Sequence, residues 1–399
     1  VNLPVINIAD FNYPLADEQI AKYPLEKRSA SKLLHFHNGI IEHTTFKHLP
    51  DLLPPETLLV FNNTKVIEAR LLFTKPTGAH IEVFLLNPAN PSQNASLILD
   101  GEGESTWQCM VGNKKRWKEN EVLRLQHQGN YVQAAWVDRE NNLVKLQYNT
   151  HTTLAEILTL FGNLPIPPYL NRPTENIDLE RYQTSFARFK GSVAAPTAAL
   201  HFDDETYEAI HKKGIGCEYL TLHVGAGTFK PVTTENAVEH PMHQEFIVFT
   251  QTTIQALLQH TGPTIAVGTT SLRSLESLFW FGIGLKLGLC KEFNIEQYLP
   301  YQVGDTSITA KEALLAVIHW MKEKGLTVLE GTSSIYIIPG YKPRMVRGMV
   351  TNFHQPKSTL LLLVSAMVGN AWKDIYQAAL ENNYRFLSYG DSSLLMFTT

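Results

Sequence analysis

Between Leu71 and Gln147 the chain reads as short alternating runs, "AHIEVFLL", "STWQCMVG", "EVLRLQHQG", "YVQAAWV" and "NLVKLQY", each cut off by Asn, Gly, Pro or charged residues. Side chains that change face at every residue mark half-buried strands, and several such strands at close spacing cover their apolar face by curling on themselves. A small all-β barrel or sandwich is therefore expected over residues 71–150, inserted into a chain of different texture.

The flanks alternate strand and helix patterns. "TLLVFN" reads as a strand from Thr57 to Asn62, stopped by Asn63 and Thr64, and "TTLAEILTLFG" reads as a helix. "NLPIPPYLNRPTEN", with its four prolines, reads as an ordered crossing. "DDETYEAIHKK" reads as a helix capped by Asp203 and closed by Gly214, leading into the strand "CEYLTLHV". "TIAVG" leads into "TTSLRSLESLFWF", and "MVTNFH" into "STLLLLVSAMVG". These units predict an α/β body with a mixed sheet, built discontinuously from residues 1–70 and 151–399. The polar stretch "ADEQIAKYPLEKRSASKLL" is helix-compatible, and the unusually long stretch Phe279 to Thr332 carries an extra helix around "AKEALLAVIHWMKEKG".

A formal charge of -4 over 399 residues means that contact with nucleic acid requires a local basic patch. Cys109, Cys217 and Cys290 lie far apart in sequence, which excludes a disulfide framework, a zinc knuckle and an iron–sulfur cluster, and fits a reducing, cytoplasmic setting. The longest apolar run, "TLLLLVSAMVG", is too short to span a bilayer, and the N-terminal stretch lacks a basic start followed by an apolar one. The chain is read as soluble, unexported and free of membrane contact.

Several loops carry groups capable of chemistry. In "YLTLHVGAGTFKPV" alternation puts Leu220, Leu222 and Val224 on a core face and turns His223 toward solvent or a cleft. Gly225 and Gly227 then allow a ligand close to the main chain or a positive φ; a tight turn with a surface histidine is the alternative. "GSVAAPTAALHF" sets small residues and His201 before a helix start, suited to a polar or anionic ligand or to close helix packing. "AVGTTSLRSLES" places Thr270 at a strand-to-helix corner and Arg273 three residues before Glu276, the spacing of an intrahelical ion pair. "TNFHQPKST" gathers Asn352, His354 and Lys357 ahead of an apolar helix whose start can hold a carboxylate or phosphate. Lys342, Arg344 and Arg347 in "PGYKPRMVRG" make a phosphate-tracking edge or a solvated loop, and "NKKRWKEN" a hairpin tip. His240, His243 and Glu245 in "HPMHQEF" lack the HExxH spacing, so hydrogen bonding or proton transfer is expected of them and metal binding is not.

Ten segments in order, "AKYPLEKRSASKLL", "LLVFNNTKVIEARL", "LPIPPYLNRP", "GSVAAPTAALHF", "LTLHVGAGTFKPV", "MHQE", "AVGTTSLRSLES", "PGYK", "TNFHQPKSTLLLLVSA" and "YRFLSYGD", resemble the blocks of the S-adenosylmethionine:tRNA ribosyltransferase-isomerase family of queuosine biosynthesis. The resemblance runs from about residue 10 to 396. It implies an α/β body with an inserted β-barrel, and transfer with isomerisation of the ribosyl group of S-adenosylmethionine onto 7-aminomethyl-7-deazaguanine at the tRNA wobble position. Epoxyqueuosine-tRNA forms, adenine and methionine leave, and no metal takes part. Within that family reading, His223 is the base, and His201 or His354 assists adenine or the tRNA base. Gly225 and Gly227 make room for the nucleoside, Thr270 and Arg273 hold polar groups of the co-substrate, and Lys357 faces a carboxylate or phosphate. Asn352, Lys342, Arg344 and Arg347 contact the substrate, tRNA, and the protein acts as a monomer.

The chain departs from the family pattern at Glu68, Ala199, Ser334, Arg347 and Gln355. Ser334 stands where an aspartate is usual and Arg347 where an acid is usual. These two leave open the same chemistry on another acceptor, or a tRNA-binding protein without catalysis.

Overall fold

The computed structural model describes residues 3–397, apart from 91, 93, 226 and 228–230. The Thr228–Phe229–Lys230 part of the glycine motif lies outside the described residues. A ten-stranded mixed sheet forms the body, in the order Asn294–Ile295, Val328–Ser333, Glu245–Thr250, Gly216–His223, Leu58–Asn62, Thr264–Val267, Gly348–Asn352, Ser392–Met396, Lys32–His37 and Ile40–Thr45. The stretch from Gly216–His223 to Gly348–Asn352 is parallel throughout. Parallel strands need crossovers that cover both faces of a sheet, so they are buried on both sides, and every residue of Leu58–Asn62 is buried.

The helix Thr269–Lys286 is buried from Thr269 to Gly284, and the helix Ala310–Glu323 packs on its outer side. Ala310–Glu323 starts at a capping box, in which Thr309 N donates to Glu312 Oε2 at 2.8 Å and Glu312 N to Thr309 Oγ1 at 3.2 Å. The long stretch Phe279 to Thr332 thus forms a helical layer and adds Asn294–Ile295 and Val328–Ser333 to the sheet edge.

The expected helix near the N-terminus does not form. Residues 16–34 hold two short 3-10 turns, Asp17–Gln19 and Arg28–Ala30, and then enter the strand Lys32–His37. Pro24 interrupts any helix there, and the carbonyls of Lys22, Leu25 and Glu26 accept from Arg172 and Arg181 instead of from their own chain.

The alternating runs form a seven-stranded sheet, antiparallel at every pairing, that starts at Arg70 and recruits the short strand Gly162–Asn163. Its inner face has its own core around Trp107, Trp117, Val132 and Leu146, closed by the helices Ala95–Leu99 and Leu154–Phe161. Among the described residues no ladder joins Leu123–His127 to Arg70–Thr74, so by hydrogen bonding the curled sheet is open.

The two sheets meet at Gly191. It holds φ +145, and a Cβ there would lie 2.8 Å from both Ala95 Cβ and His223 Cε1. We expect Gly191→Ala to destabilise the protein by about 1–3 kcal/mol in urea titration, from overpacking alone. An unchanged midpoint would show that the junction relaxes freely.

Candidate active site

The parallel strands Gly216–His223, Thr264–Val267 and Gly348–Asn352 send the residues that follow them, Val224, Gly268 and Phe353, to the wall of one narrow cavity of about 80 Å³. Ligands of open α/β sheets bind outside the carboxyl ends of the strands, which is where this cavity lies. Thr264–Val267 turns through Gly268, at φ +91, into the helix Thr269–Lys286, while Gly348–Asn352 runs into Phe353 to Ser358 and the helix Thr359–Val368. Pro196, Thr197, Thr270, Asn352, His354 and Ser388 are among the lining residues.

Asn352 ties the walls together. Its Oδ1 accepts from Thr197 Oγ1 at 3.0 Å, so its amide nitrogen faces His201 Nε2 at 3.2 Å and donates to it. His201 therefore carries its proton on Nδ1, which donates to Ser31 Oγ at 2.9 Å. Burial, and then Arg385 and Arg28, push the His201 pKa down to about 3. A neutral imidazole with both nitrogens engaged orients the amide and has no proton to give.

His354 differs. Its main chain is clamped, with N donating to the Tyr376 hydroxyl at 3.0 Å and the carbonyl accepting from Tyr13. Nε2 lies 2.9 Å from Thr351 Oγ1, and Nδ1 has no hydrogen-bond partner among the described residues. Burial lowers its pKa to about 3, so it is neutral at physiological pH. Across the cavity, the helix starting at Thr269 has no side-chain cap, and among the described residues the hydroxyls of Thr270 and, one residue on, Ser271 are buried without partners. Uncapped N–H groups and orphaned hydroxyls at a helix start suit a polar or anionic group.

The structure brings His354, Thr270 and Asn352 into this cavity, with His201 directly behind, and leaves the other expected residues elsewhere. His223, expected to face solvent or a cleft, is 7% exposed. The alternation that gives Val224 to the cavity wall turns His223 to the opposite side, where Thr64 Oγ1 lies 2.9 Å from Nδ1 and Ser96 Oγ 3.4 Å from Nε2. Burial lowers its pKa to about 4.

Neither Gly225 nor Gly227 has a positive φ. The approach that Gly227 permits is to His243, whose ring would lie 2.6 Å from an added Cβ. Lys357 is exposed and is absent from the cavity wall; its main chain joins Phe11 and Val232. Arg347 precedes the strand that ends in Asn352, so it lies at the far edge of the sheet, roughly 16 Å away at about 3.3 Å per residue. Lys342 and Arg344 both reach Asp305, at 3.6 and 3.0 Å.

Arg273 and Glu276 do not pair, because each is turned toward a different neighbouring element. Arg273 pairs with the buried Glu245, and Glu276 accepts from the Tyr341 hydroxyl at 2.5 Å and from the main-chain N–H groups of Arg344 and Met345. Burial works to raise the Glu245 pKa, but Arg273 and His243, the latter at 3.3 Å, outweigh it and hold the carboxyl near 2. Among the described residues no three His, Cys, Asp or Glu side chains are grouped as metal ligands, and no helix is long and apolar enough to cross a membrane.

Sequence reasoning assigned no role to Tyr169, Leu387 or Ser388, which also line the cavity. They sit in the quoted blocks "LPIPPYLNRP" and "YRFLSYGD" but bear no titrating group near neutrality. The remaining signal is backbone strain visible only in three dimensions, Leu387 at φ +68.

Residues 8–395 match the family described as queuosine biosynthesis protein. The chain belongs to that family. Among its relatives is a curated S-adenosylmethionine:tRNA ribosyltransferase-isomerase from Azoarcus sp. (strain BH72), 36% identical over 394 residues, covering 98% of this chain and 97% of the relative. A crystal structure of S-adenosylmethionine tRNA ribosyltransferase from Thermotoga maritima has a TM-score of 0.46 and 25% identity, and covers 97% of this chain and all of that one.

In this queuosine biosynthesis family member His201, His223 and His354 are held neutral, with pKa values of about 3, 4 and 3, whereas an unfolded imidazole titrates near 6.5. As pH falls the unfolded chain takes up protons first. The stability these groups contribute is therefore complete above about pH 6.5 and drains away as pH falls toward about 4, by up to about 1.4 kcal/mol per pH unit for each. Urea titrations of His223→Gln should show a shallower acid slope by that amount. A slope equal to that of the parent protein would show that His223 is not held neutral.

Proposed function

We propose that the chain transfers and isomerises the ribosyl group of S-adenosylmethionine onto 7-aminomethyl-7-deazaguanine at the tRNA wobble position, releasing adenine and methionine and leaving epoxyqueuosine-tRNA. The observation that carries this reading is that separate family-like blocks, "LPIPPYLNRP", "GSVAAPTAALHF", "AVGTTSLRSLES", "TNFHQPKST" and "YRFLSYGD", all send residues to the wall of one cavity. The enzyme works in the cytoplasm as a monomer. Residues 71–150 form most of an inserted, curled β domain on the body formed by 1–70 and 151–399; the separate core of its sheet supports the insertion and draws also on Ile67, Ala69, Leu154, Ile157, Leu158 and Val193.

The cavity offers the co-substrate a donor in the Thr270 hydroxyl, which lines it and has no partner among the described residues. When bound, S-adenosylmethionine supplies a sulfonium that acidifies the adjacent C–H and makes its substituents leaving groups. His354 is the base in this reading. With Nε2–H donating to Thr351 Oγ1, Nδ1 presents its lone pair, and the clamped main chain fixes where that lone pair lies. Thr270, Ser271 and the bare helix start orient the polar end of the co-substrate. Asn352, held by Thr197 and His201, keeps two walls in register. Pro196 and its small neighbours at 194–198 keep water out.

Neither Ser334 nor Arg347 lines the cavity; Ser334 packs on Ile295, and Arg347 sits at the other sheet edge. That placement supports catalysis over the alternatives. The test is adenine release from S-adenosylmethionine with tRNA carrying the aminomethyl base. His354→Gln should lower single-turnover adenine release by about 10²–10⁴ while keeping co-substrate binding, and His223→Gln should change it by no more than a small factor. The opposite ranking would return the base to His223, and absence of adenine from the parent protein would sink the reading.

A further inference from the structure

A second, smaller cavity adjoins the first; Ser388 belongs to both walls, and His201 lies between them, in the lining of one and bonded to Asn352 in the other. Arg28, Arg181 and Arg385 line it, and its lining contains no carboxylate. Arg28 lies in "AKYPLEKRSASKLL" and Arg385 in "YRFLSYGD", family-like segments whose charged groups have no part in the chemistry above. We propose that this arginine triad binds a backbone phosphate of the RNA substrate and so sets the position of the base presented to the neighbouring cavity.

No carboxylate shares the cavity lining with the three guanidinium groups. Arg28 donates only to main-chain carbonyls, those of Leu200, Glu180 and Gln183 at 2.9–3.2 Å, and Arg181 only to those of Leu25 and Glu26 at 2.7 and 3.1 Å. Carbonyl bonds stiffen a guanidinium without neutralising it. Among the described residues Arg181 Nε is buried without a partner. Arg385 donates to the Tyr23 carbonyl at 3.3 Å and lies 3.8 Å from Asp391, whose oxygens also accept from the main-chain N–H groups of Lys32 and Arg385 at 2.9 and 2.8 Å. Of the other nearby carboxylates, Asp178 is taken by Arg172 at 2.7 and 2.8 Å and by the Tyr389 hydroxyl, while Glu180 and Asp203 act on Arg28 from outside the lining. Burial, followed by the repulsion of Arg181, lowers the Arg28 pKa, and burial lowers that of Arg385, so the like charges are held together at a cost.

Guanidinium forks match the oxygens of a phosphate. A phosphodiester fits better than a free ion because all three arginines are only partly buried, leaving a side through which a strand can continue, and because the wall at Ser388 is shared with the cavity proposed for the chemistry. The inference rests on the proposed tRNA reading for the identity of the strand.

Arg385→Gln is the main test, since among the described residues the Arg385 side chain donates a single hydrogen bond, to the Tyr23 carbonyl, and Arg28→Lys keeps charge while removing the fork. Affinity for an anticodon stem–loop RNA is measured across a salt series, with thermal melting to confirm folding and calorimetry to follow S-adenosylmethionine binding. We expect roughly tenfold weaker RNA binding for Arg385→Gln, a log–log salt slope flatter by about 0.7–0.9, unchanged co-substrate binding, and a smaller loss for Arg28→Lys. A merely structural role would not flatten the slope. Inorganic phosphate should compete with RNA on the parent protein and less on Arg385→Gln. RNA affinity and slope unchanged in folded Arg385→Gln would overturn the proposal, and phosphate binding alongside that result would assign the triad to a free anion. RNA retention without adenine release by the parent protein would fail the catalytic reading while leaving the triad's role measurable.

Discussion

Parallel pairing makes the chain return outside the sheet before each new strand, so Leu58–Asn62, Thr264–Val267 and Gly348–Asn352 start at one edge and stop together at the other. Everything chemical in the molecule depends on that shared stopping level. Loops from distant parts of the sequence converge there because the strands leave them no other exit, and the buried Asn352 amide then ties its own strand end to the segment that carries Thr197 and His201. The far edge, where Arg347 and Arg344 emerge, is a different environment on the same strands.

Buried polar groups are sorted into two kinds. Glu245 with Arg273, and Glu276 with Tyr341 and two main-chain N–H groups, are satisfied internally and pin the helix Thr269–Lys286 to the sheet edge. Removing one partner of such a set leaves a charge or acceptor stranded, so these groups are architecture. Among the described residues the hydroxyl of Thr270, the Nδ1 of His354 and the Nε of Arg181 lack partners instead. These three residues line the two adjoining cavities, where a ligand would complete them.

Much of the fold was legible beforehand. The period-two runs gave way to an antiparallel sheet, the strand-to-helix corners to the body, and Asp203 capped its helix as read, accepting from Thr206 N at 3.0 Å. The N-terminal helix was misread because its propensity is local, while the carbonyl bonds from Arg172 and Arg181 that hold the segment extended come from over a hundred residues away. The site was half legible. His354, Thr270 and Asn352 stood out by residue type and loop context, but His223 and the glycines stood out equally and belong to a packed junction.

The order and chemistry of the loop segments, and with them the family, were written in the residues themselves, because side-chain type and spacing are properties of the chain in one dimension. Which face of the strand ending at His223 would be covered, and by what, was not, since both faces of a central strand are buried and alternation names two sides without saying which is the cavity. That choice, like the pairing of Arg273 with Glu245 and the meeting of Arg28, Arg181 and Arg385, is made by contacts between segments far apart in sequence. Only the packed structure brings those segments within bonding distance.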